Sequence, residues 1–197
     1  MPTDETLGFY AREAEAYATR AREADMERLR RFAGAIPPGG RVLELGCGGG
    51  HDSEELIRLG LDLLPTDGSP ELVAQTARRL RRPAELLLFE DLADENLYAG
   101  IWANACLLHV PRAALPGILA RIHRALRPGG LFQSSYKAGE REGHDRFGRF
   151  FNYPSADWLR GVHRDADWAA VTIEEDLSSG YDGEPTRWLH VTAVKRA

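Results

Sequence analysis

The sequence predicts a doubly wound α/β fold: a mostly parallel, seven-stranded sheet with an antiparallel strand near its C-terminal end, preceded by a helical arm. Three observations carry that expectation. Through the middle of the chain, short apolar runs bounded by turn residues alternate with amphipathic segments, the pattern of strands joined by helices in a parallel sheet. The first run, with Val42, Leu43 and Leu45, empties into Gly46-Cys47-Gly48-Gly49-Gly50 and then into a segment of helical character. The next run, residues 61–64, ends close to an acid, Asp67.

Each element has its own sequence signal. Residues 3–35 are rich in Ala, Glu and Arg, with no proline and little glycine after Gly8, and read as helical. Phe9, Tyr10, Tyr17, Met26, Leu29 and Phe32 stand there among mixed charges, the composition of a solvated helix face. Pro37-Pro38-Gly39-Gly40 ends this stretch, so the single domain expected over 1–197 divides into an arm (1–36) and a core (37–197). After the glycine turn, Asp52, Glu54 and Glu55 suit the positive end of a helix dipole, and Gly60 can terminate that short helix. Ser69-Pro70-Glu71 opens the next helix with a serine cap and proline in its first turn. Leu72, Val73, Thr76 and Leu80 form its inward face. Arg78, Arg79, Arg81 and Arg82 cluster at its end, where cations complement the dipole.

Residues 84–89 read as a third strand, followed by Glu90-Asp91-Leu92, and 99–105 as a fourth that runs into Asn104-Ala105-Cys106-Leu107-Leu108-His109-Val110-Pro111. Leu115, Ile118, Leu119, Ile122 and Leu126 recur at helical spacing. Leu126-Arg127-Pro128-Gly129-Gly130 stops that helix and launches a fifth strand over 131–136. Beyond Ala138 the chain turns polar (139–148), then offers a short helix (154–162). Two alternating stretches, 170–175 and 188–194, have no helix between them, which predicts an antiparallel pair at the sheet edge.

Bulk properties bound the function. At 197 residues the chain is long enough for one substantial core. No stretch approaches the length of a membrane span, and the first ten residues lack a signal-peptide pattern, so the expectation is a cytoplasmic protein without a membrane partner. A formal net charge of −5 argues against a nucleic-acid partner. The two cysteines, Cys47 and Cys106, form no C-x-x-C, which suggests neither a disulfide framework nor a metal site. Cys47 reads as a small space-filler beside a ligand. The chain is expected as a monomer or homodimer.

The strand, glycine turn, helix and strand-tip acid together form half of a nucleoside-binding unit. Glycines let the main chain approach a ligand, free N–H groups at the helix start face it, and a carboxylate at the next strand tip can accept both ribose hydroxyls. A dinucleotide site would want G-x-G-x-x-G. The sixth position is His51 counted from Gly46 and Ser53 counted from Gly48, which disfavours a nicotinamide oxidoreductase. The run E-L-G-C-G-G-G instead resembles motif I of the class I S-adenosylmethionine (SAM)-dependent methyltransferases, which are Rossmann-like. The further marks T-D-G-S-P-E-L, E-D-L, L-L-H-V-P, L-R-P-G-G, S-Y-K-A-G-E and G-R-F-F-N-Y resemble a small bacterial subgroup of that superfamily.

The resemblance implies roles. Glu44 and the backbone around Gly46, Cys47, Gly48 and Gly50 would hold the methionine moiety. Asp67 would take the ribose hydroxyls, with Gly68 and Ser69 along the adenosine. Asp91 would bond the adenine amino group beside the Leu92 main chain, and Asn104 and Ala105 would line the methionine end. Phe9-Tyr10 through Tyr17 resembles an N-terminal segment that closes over the cofactor, bringing Tyr17 near it. The sequence departs from the usual pattern in having Glu at 44, Gly49 for a frequent proline, Pro65-Thr66 before the ribose acid, and Ala99 where an acid often opens strand four.

Since SAM already carries a leaving group, such a protein chiefly positions an acceptor and excludes water, and a base is needed only for an acceptor that keeps its proton until late. Candidates by topology are His109, Tyr136 and Lys137, with His144 and Tyr153 more peripheral. Lys137 could attract an anionic acceptor. Phe150, Phe151 and Tyr153 suggest an aromatic lid. The activity implied is methyl transfer to a small-molecule acceptor, leaving S-adenosylhomocysteine. The alternative is a SAM-binding module without catalysis that serves regulation or assembly.

Overall fold

The computed structural model describes residues 4–20, 24–164 and 166–197. The arm is two helices, α1 (Asp4–Thr19) and α2 (Met26–Ala35), where composition predicts one stretch. The reason is Asp25, whose Oδ1 accepts the Arg28 N–H at 3.0 Å and caps a fresh start. Residue 3 and residues 21–23, over which that expectation also runs, lie outside the described residues.

Five units of the core follow the predicted order. They are β1 (Arg41–Leu45), α3 (His51–Arg58), β2 (Asp62–Asp67), α4 (Pro70–Leu80) and a minimal β3 (Glu85–Leu86). The third strand is shorter than its apolar run because Phe89–Asp91 winds into a 3-10 turn. Then come β4 (Tyr98–Ala103), α5 (Leu115–Ala125) and β5 (Leu126–Lys137). β5 begins earlier than predicted: Leu126 already pairs with Tyr98, and a register shift follows before Leu131 meets Gly100. The polar stretch holds a small hairpin, β6 (Gly143–His144) with β7 (Phe150–Phe151), ahead of α6 (Ala156–His163). The chain ends in two long strands, β8 (Trp168–Ser179) and β9 (Pro185–Lys195).

The sheet order is β3-β2-β1-β4-β5-β9-β8. β1 runs parallel to both β2 and β4, and β4 parallel to β5, whereas β9 is antiparallel to both β5 and β8. The winding direction therefore reverses between β1 and β4, and the carboxyl ends of those strands open the crevice where such sheets bind ligands.

Apolar cores cover both faces. One joins α5, α6, β4, β5 and β9 through residues such as Ile122, Phe132, Leu159 and Val191. The other seats α2 and α3 on β1 and β4 through Leu29, Phe32, Ile36, Val42, Leu56 and Trp102. Gly100 makes the second one possible. A Cβ there would stand 2.5 Å from Ile36 Cδ1 and 2.8 Å from Phe32 Cζ, so the arm reaches the sheet only because position 100 has no side chain. No helix among the described residues is long and apolar enough to cross a membrane.

Candidate functional site

A cavity of about 710 Å3 opens at the carboxyl ends of β1, β2, β4 and β5, roofed by α1 and by the turn between β8 and β9. Its floor begins at the glycine turn. Gly46 has φ +68°, and a Cβ at this position would overlap the Cys106 side chain, so both the bend and the close approach require glycine. Asp67 closes the loop from the tip of β2. Its Oδ2 accepts the Gly48 N–H at 2.9 Å and its Oδ1 accepts the Ser69 N–H at 2.9 Å. Burial pushes the Asp67 carboxyl above the usual range, and the backbone N–H groups act against that shift. The Gly68 N–H also reaches the carboxylate, which keeps acceptor capacity for a ligand hydroxyl.

Beside the turn, Glu44 accepts a hydrogen bond from the Ser53 hydroxyl. Asp52 Oδ2 accepts from Asn104 Nδ2 at 2.7 Å and from Trp102 Nε1 at 3.1 Å. Asn104 Oδ1 in turn accepts from Ser135 Oγ at 2.5 Å, and that oxygen accepts the Ala105 N–H at 2.8 Å. This chain fixes the loop after β4, including Ala105 at φ +53°. Cys47 Sγ contacts Thr76 Oγ1 at 3.4 Å and Cys106 Sγ contacts the Leu45 carbonyl at 3.0 Å; burial pushes both thiols up, which suits packing and not nucleophilic chemistry.

Arg79 ties the glycine turn to the arm. Its Nε donates to the Gly49 carbonyl at 2.6 Å and its Nη2 to the Ala18 carbonyl at 2.9 Å. Tyr17, on α1, lies in the cavity wall and stacks on Tyr181 from the β8–β9 turn, with centroids 5.6 Å apart, while the Arg20 guanidinium sits over both rings.

The far end of the cavity is built by strand alternation. Lys137 on β5 faces Trp188 on β9, and Ser135 faces His190. Residues two apart share a face, so Lys137, Trp188 and His190 all reach the cavity, where they are joined by Asp176 of β8. Tyr136, next to Lys137, must point the other way. It is fully buried in the apolar core. His190 Nε2 stands 3.2 Å from Asp176 Oδ2, and both ring nitrogens are buried. Burial lowers the affinity of His190 for a proton, with Arg28 adding to the effect and Asp176 opposing it.

His109 sits in the wall but is fully engaged. Its Nδ1 lies 2.6 Å from the Phe150 carbonyl, which can only accept, so Nδ1 carries the hydrogen. Nε2 is then the acceptor of the Tyr10 hydroxyl at 2.9 Å. Burial pushes His109 down to about 3, so the ring is neutral near pH 7. Tyr10 also receives Arg149 Nη1 at 3.4 Å. Arg149 itself is held by Asp145 Oδ2 at 2.6 Å and lies among the rings of Phe9, Tyr10, Phe147, Phe151 and Tyr181.

Of the residues singled out by sequence, Tyr17, Glu44, Gly46, Cys47, Gly48, Asp67, Gly68, Asn104, Ala105, His109 and Lys137 line this one cavity. Ser69 and Gly50 stand behind it, as the caps of α4 and α3. Asp91 is exposed and the Leu92 side chain lies in the core, and the cavity wall there is Leu87, Leu88 and Phe89. Among the candidate bases, Tyr136 is turned away, and His109 holds Tyr10 and β7 and has no nitrogen left for a substrate proton. The expected lid is in place only in part: Phe151 lines the cavity and stacks on Tyr153, while Phe150 packs on His144 outside it. Asp52, Arg79, Arg149, Tyr181, Trp188 and His190 were missed. Asp52 and Arg79 carry ordinary helix-end signals, and the alternation of 188–194 was the one available sign of Trp188 and His190.

A glycine turn, a strand-tip carboxylate and a cavity at the switch point of a Rossmann-like sheet define a nucleoside-binding α/β domain. Residues 17–173 match the family described as a methyltransferase domain, and the chain belongs to that family. An uncharacterized methyltransferase of Synechocystis sp. is 32% identical over 100 residues, covering 50% of this chain and 47% of that protein. A ubiquinone biosynthesis O-methyltransferase of Xanthomonas oryzae pv. oryzae is 37% identical over 106 residues, covering 49% and 43%. The chain thus spans about half the length of these curated relatives. Among solved structures, Burkholderia thailandensis 1,6-didemethyltoxoflavin-N1-methyltransferase, with 1,6-didemethyltoxoflavin and S-adenosylhomocysteine bound, superposes with a TM-score of 0.67. It is 24% identical, over 88% of this chain and 80% of that one. A SAM-dependent methyltransferase from Methanosarcina mazei gives 0.73 at 15% identity, over 89% and 99%. At these identities the likeness is one of fold.

Proposed function

We propose that this protein transfers a methyl group from SAM to a small-molecule acceptor held at the β5–β9 end of the cavity. The observation that carries this reading is the Asp67 carboxylate, buried at the cavity floor against the glycine turn with acceptor capacity left for a ligand hydroxyl. Asp67 would take the ribose hydroxyls, Glu44 and the Gly46–Gly48 backbone the methionine end, and Leu88 and Phe89 the adenine face. Bound there, SAM supplies a methyl on a sulfonium whose departure leaves neutral S-adenosylhomocysteine. The chain's own contribution is placement. Asn104, fixed by Asp52 and Ser135, shapes the methionine end. Tyr17, Tyr181 and Arg149 close the roof and exclude water. His109 keeps Tyr10 in line.

Calorimetry on Asp67→Ala tests the site. Losing a charge-assisted acceptor for the ribose hydroxyls is expected to weaken SAM by about 10- to 100-fold, with the thermal transition retained. An unchanged dissociation constant would falsify the assignment. Turnover, read as S-adenosylhomocysteine released in an acceptor screen, separates an enzyme from a binding module.

A further inference from the structure

Lys137 is a cation at 9% exposure in the cavity wall. Among the described residues no carboxylate lies within ion-pair distance of its Nζ: Asp145 is spent on Arg149, and Asp182 acts only at longer range. What surrounds the ammonium is aromatic, with the Phe151 centroid 4.9 Å and the Trp188 centroid 6.0 Å away. Burial lowers its hold on the proton and Arg149 adds to that, with Asp182 and Asp145 opposing. The β8–β9 turn leaves it room, since a Cβ at Gly180 would stand 2.8 Å from Nζ. A buried cation without an anion costs free energy, which ring faces offset only in part. Arg149 is neutralised by Asp145, and Asp182 offsets the Lys137 charge in part from beyond ion-pair distance, so this end of the cavity suits a monoanion better than a phosphate dianion.

We propose that Lys137 and Trp188, backed by the buried Phe151 ring, form the acceptor subsite, and that it takes a planar aromatic monoacid, its carboxylate on Lys137 and its ring against the Trp188 side chain. What becomes of that acid rests on the methyl-transfer reading; that it binds does not.

The experiment is calorimetric titration of the protein, first with S-adenosylhomocysteine and then, in its presence, with benzoate, benzamide, cyclohexanecarboxylate and inorganic phosphate. Benzoate is expected to bind about tenfold or more tighter than benzamide, through the charge, and several-fold tighter than cyclohexanecarboxylate, through the ring. Phosphate is expected to compete weakly. Lys137→Met removes the preference for benzoate over benzamide while leaving the S-adenosylhomocysteine constant within about twofold, and Lys137→Arg keeps the preference. Equal binding of benzoate and benzamide, no benzoate binding at all, phosphate outcompeting benzoate, or an unaltered preference in Lys137→Met each overturns the subsite. Failure of S-adenosylhomocysteine to bind would count against the methyl-transfer reading alone. The same titrations without it then decide the subsite.

Discussion

Arg79 illustrates how one side chain can serve two elements. Its position near the end of α4 suits a helix dipole, and that is all its sequence context suggests. In the fold it reaches back across 30 residues to the Gly49 carbonyl and across 61 to the Ala18 carbonyl, with the His51 ring 3.0 Å from Nη2. Truncation to Ala leaves both carbonyls without this donor, a loss of about 1–3 kcal/mol. The expected outcome for Arg79→Ala is faster amide exchange across α1 and a several-fold weaker SAM constant. Exchange in α1 that matches the wild type would show that the guanidinium does not tie the arm to the turn. The opposite case is Asp67, whose place against the glycine turn was legible in one dimension. A carboxylate at a strand tip after a glycine turn has few other reasons to be there, and its partners are local backbone. Arg79 was not legible because long-range donors leave no spacing signal.

Elements were readable where their periodicity was self-contained. β1, α3, α4 and α5 follow their apolar patterns, and the antiparallel pair β8–β9 follows from two alternating stretches with no helix between them. The break between α1 and α2 was not readable, because Ala, Glu and Arg favour helix on both sides and a single capping aspartate decides it. The faces of β5 were readable in principle. Period-two alternation means that Tyr136 and Lys137 cannot both reach one cavity, and β9 had to be placed beside β5 before it was clear which one does. The docking of α2 on the sheet was hidden for another reason: it depends on an absence, the missing side chain at Gly100. Gly100→Ala inserts a methyl 2.5 Å from Ile36 Cδ1 and 2.8 Å from Phe32 Cζ, in a strand whose backbone cannot yield. The cost expected is about 1–3 kcal/mol, the range for overpacking a filled core. A urea midpoint equal to that of the wild type would mean that the arm moves away freely. Ile36→Val in the same background should recover part of the loss.

At the scale of the whole molecule, the titration behaviour of the buried imidazoles sets how folding responds to acid. His109, His163 and His190 are all pushed below the ordinary histidine value, chiefly by burial, and His109 reaches about 3. In the unfolded chain each takes a proton as pH falls through about 6.5, while the folded protein refuses it. The unfolded state then binds more protons, so stability falls with falling pH. His109 alone should remove about 2 kcal/mol between pH 6.5 and pH 5. Asp25 and Asp145, held low by Arg28 and Arg149, extend the loss to more acid pH as their carboxylates protonate. Asp67 works the other way, because its raised carboxyl is relieved by protonation; the same protonation removes acceptor capacity from the proposed ribose site, so SAM affinity is expected to decline as the fold weakens. Urea midpoints measured from pH 7.5 to 4.5 are therefore expected to decrease steadily below about 6.5, with the His109 ring resonances unmoved down to pH 5. A midpoint that holds constant to pH 5, or a His109 that titrates near 6.5, would mean the Tyr10–His109–Phe150 chain opens to water and no longer anchors α1 over the cavity.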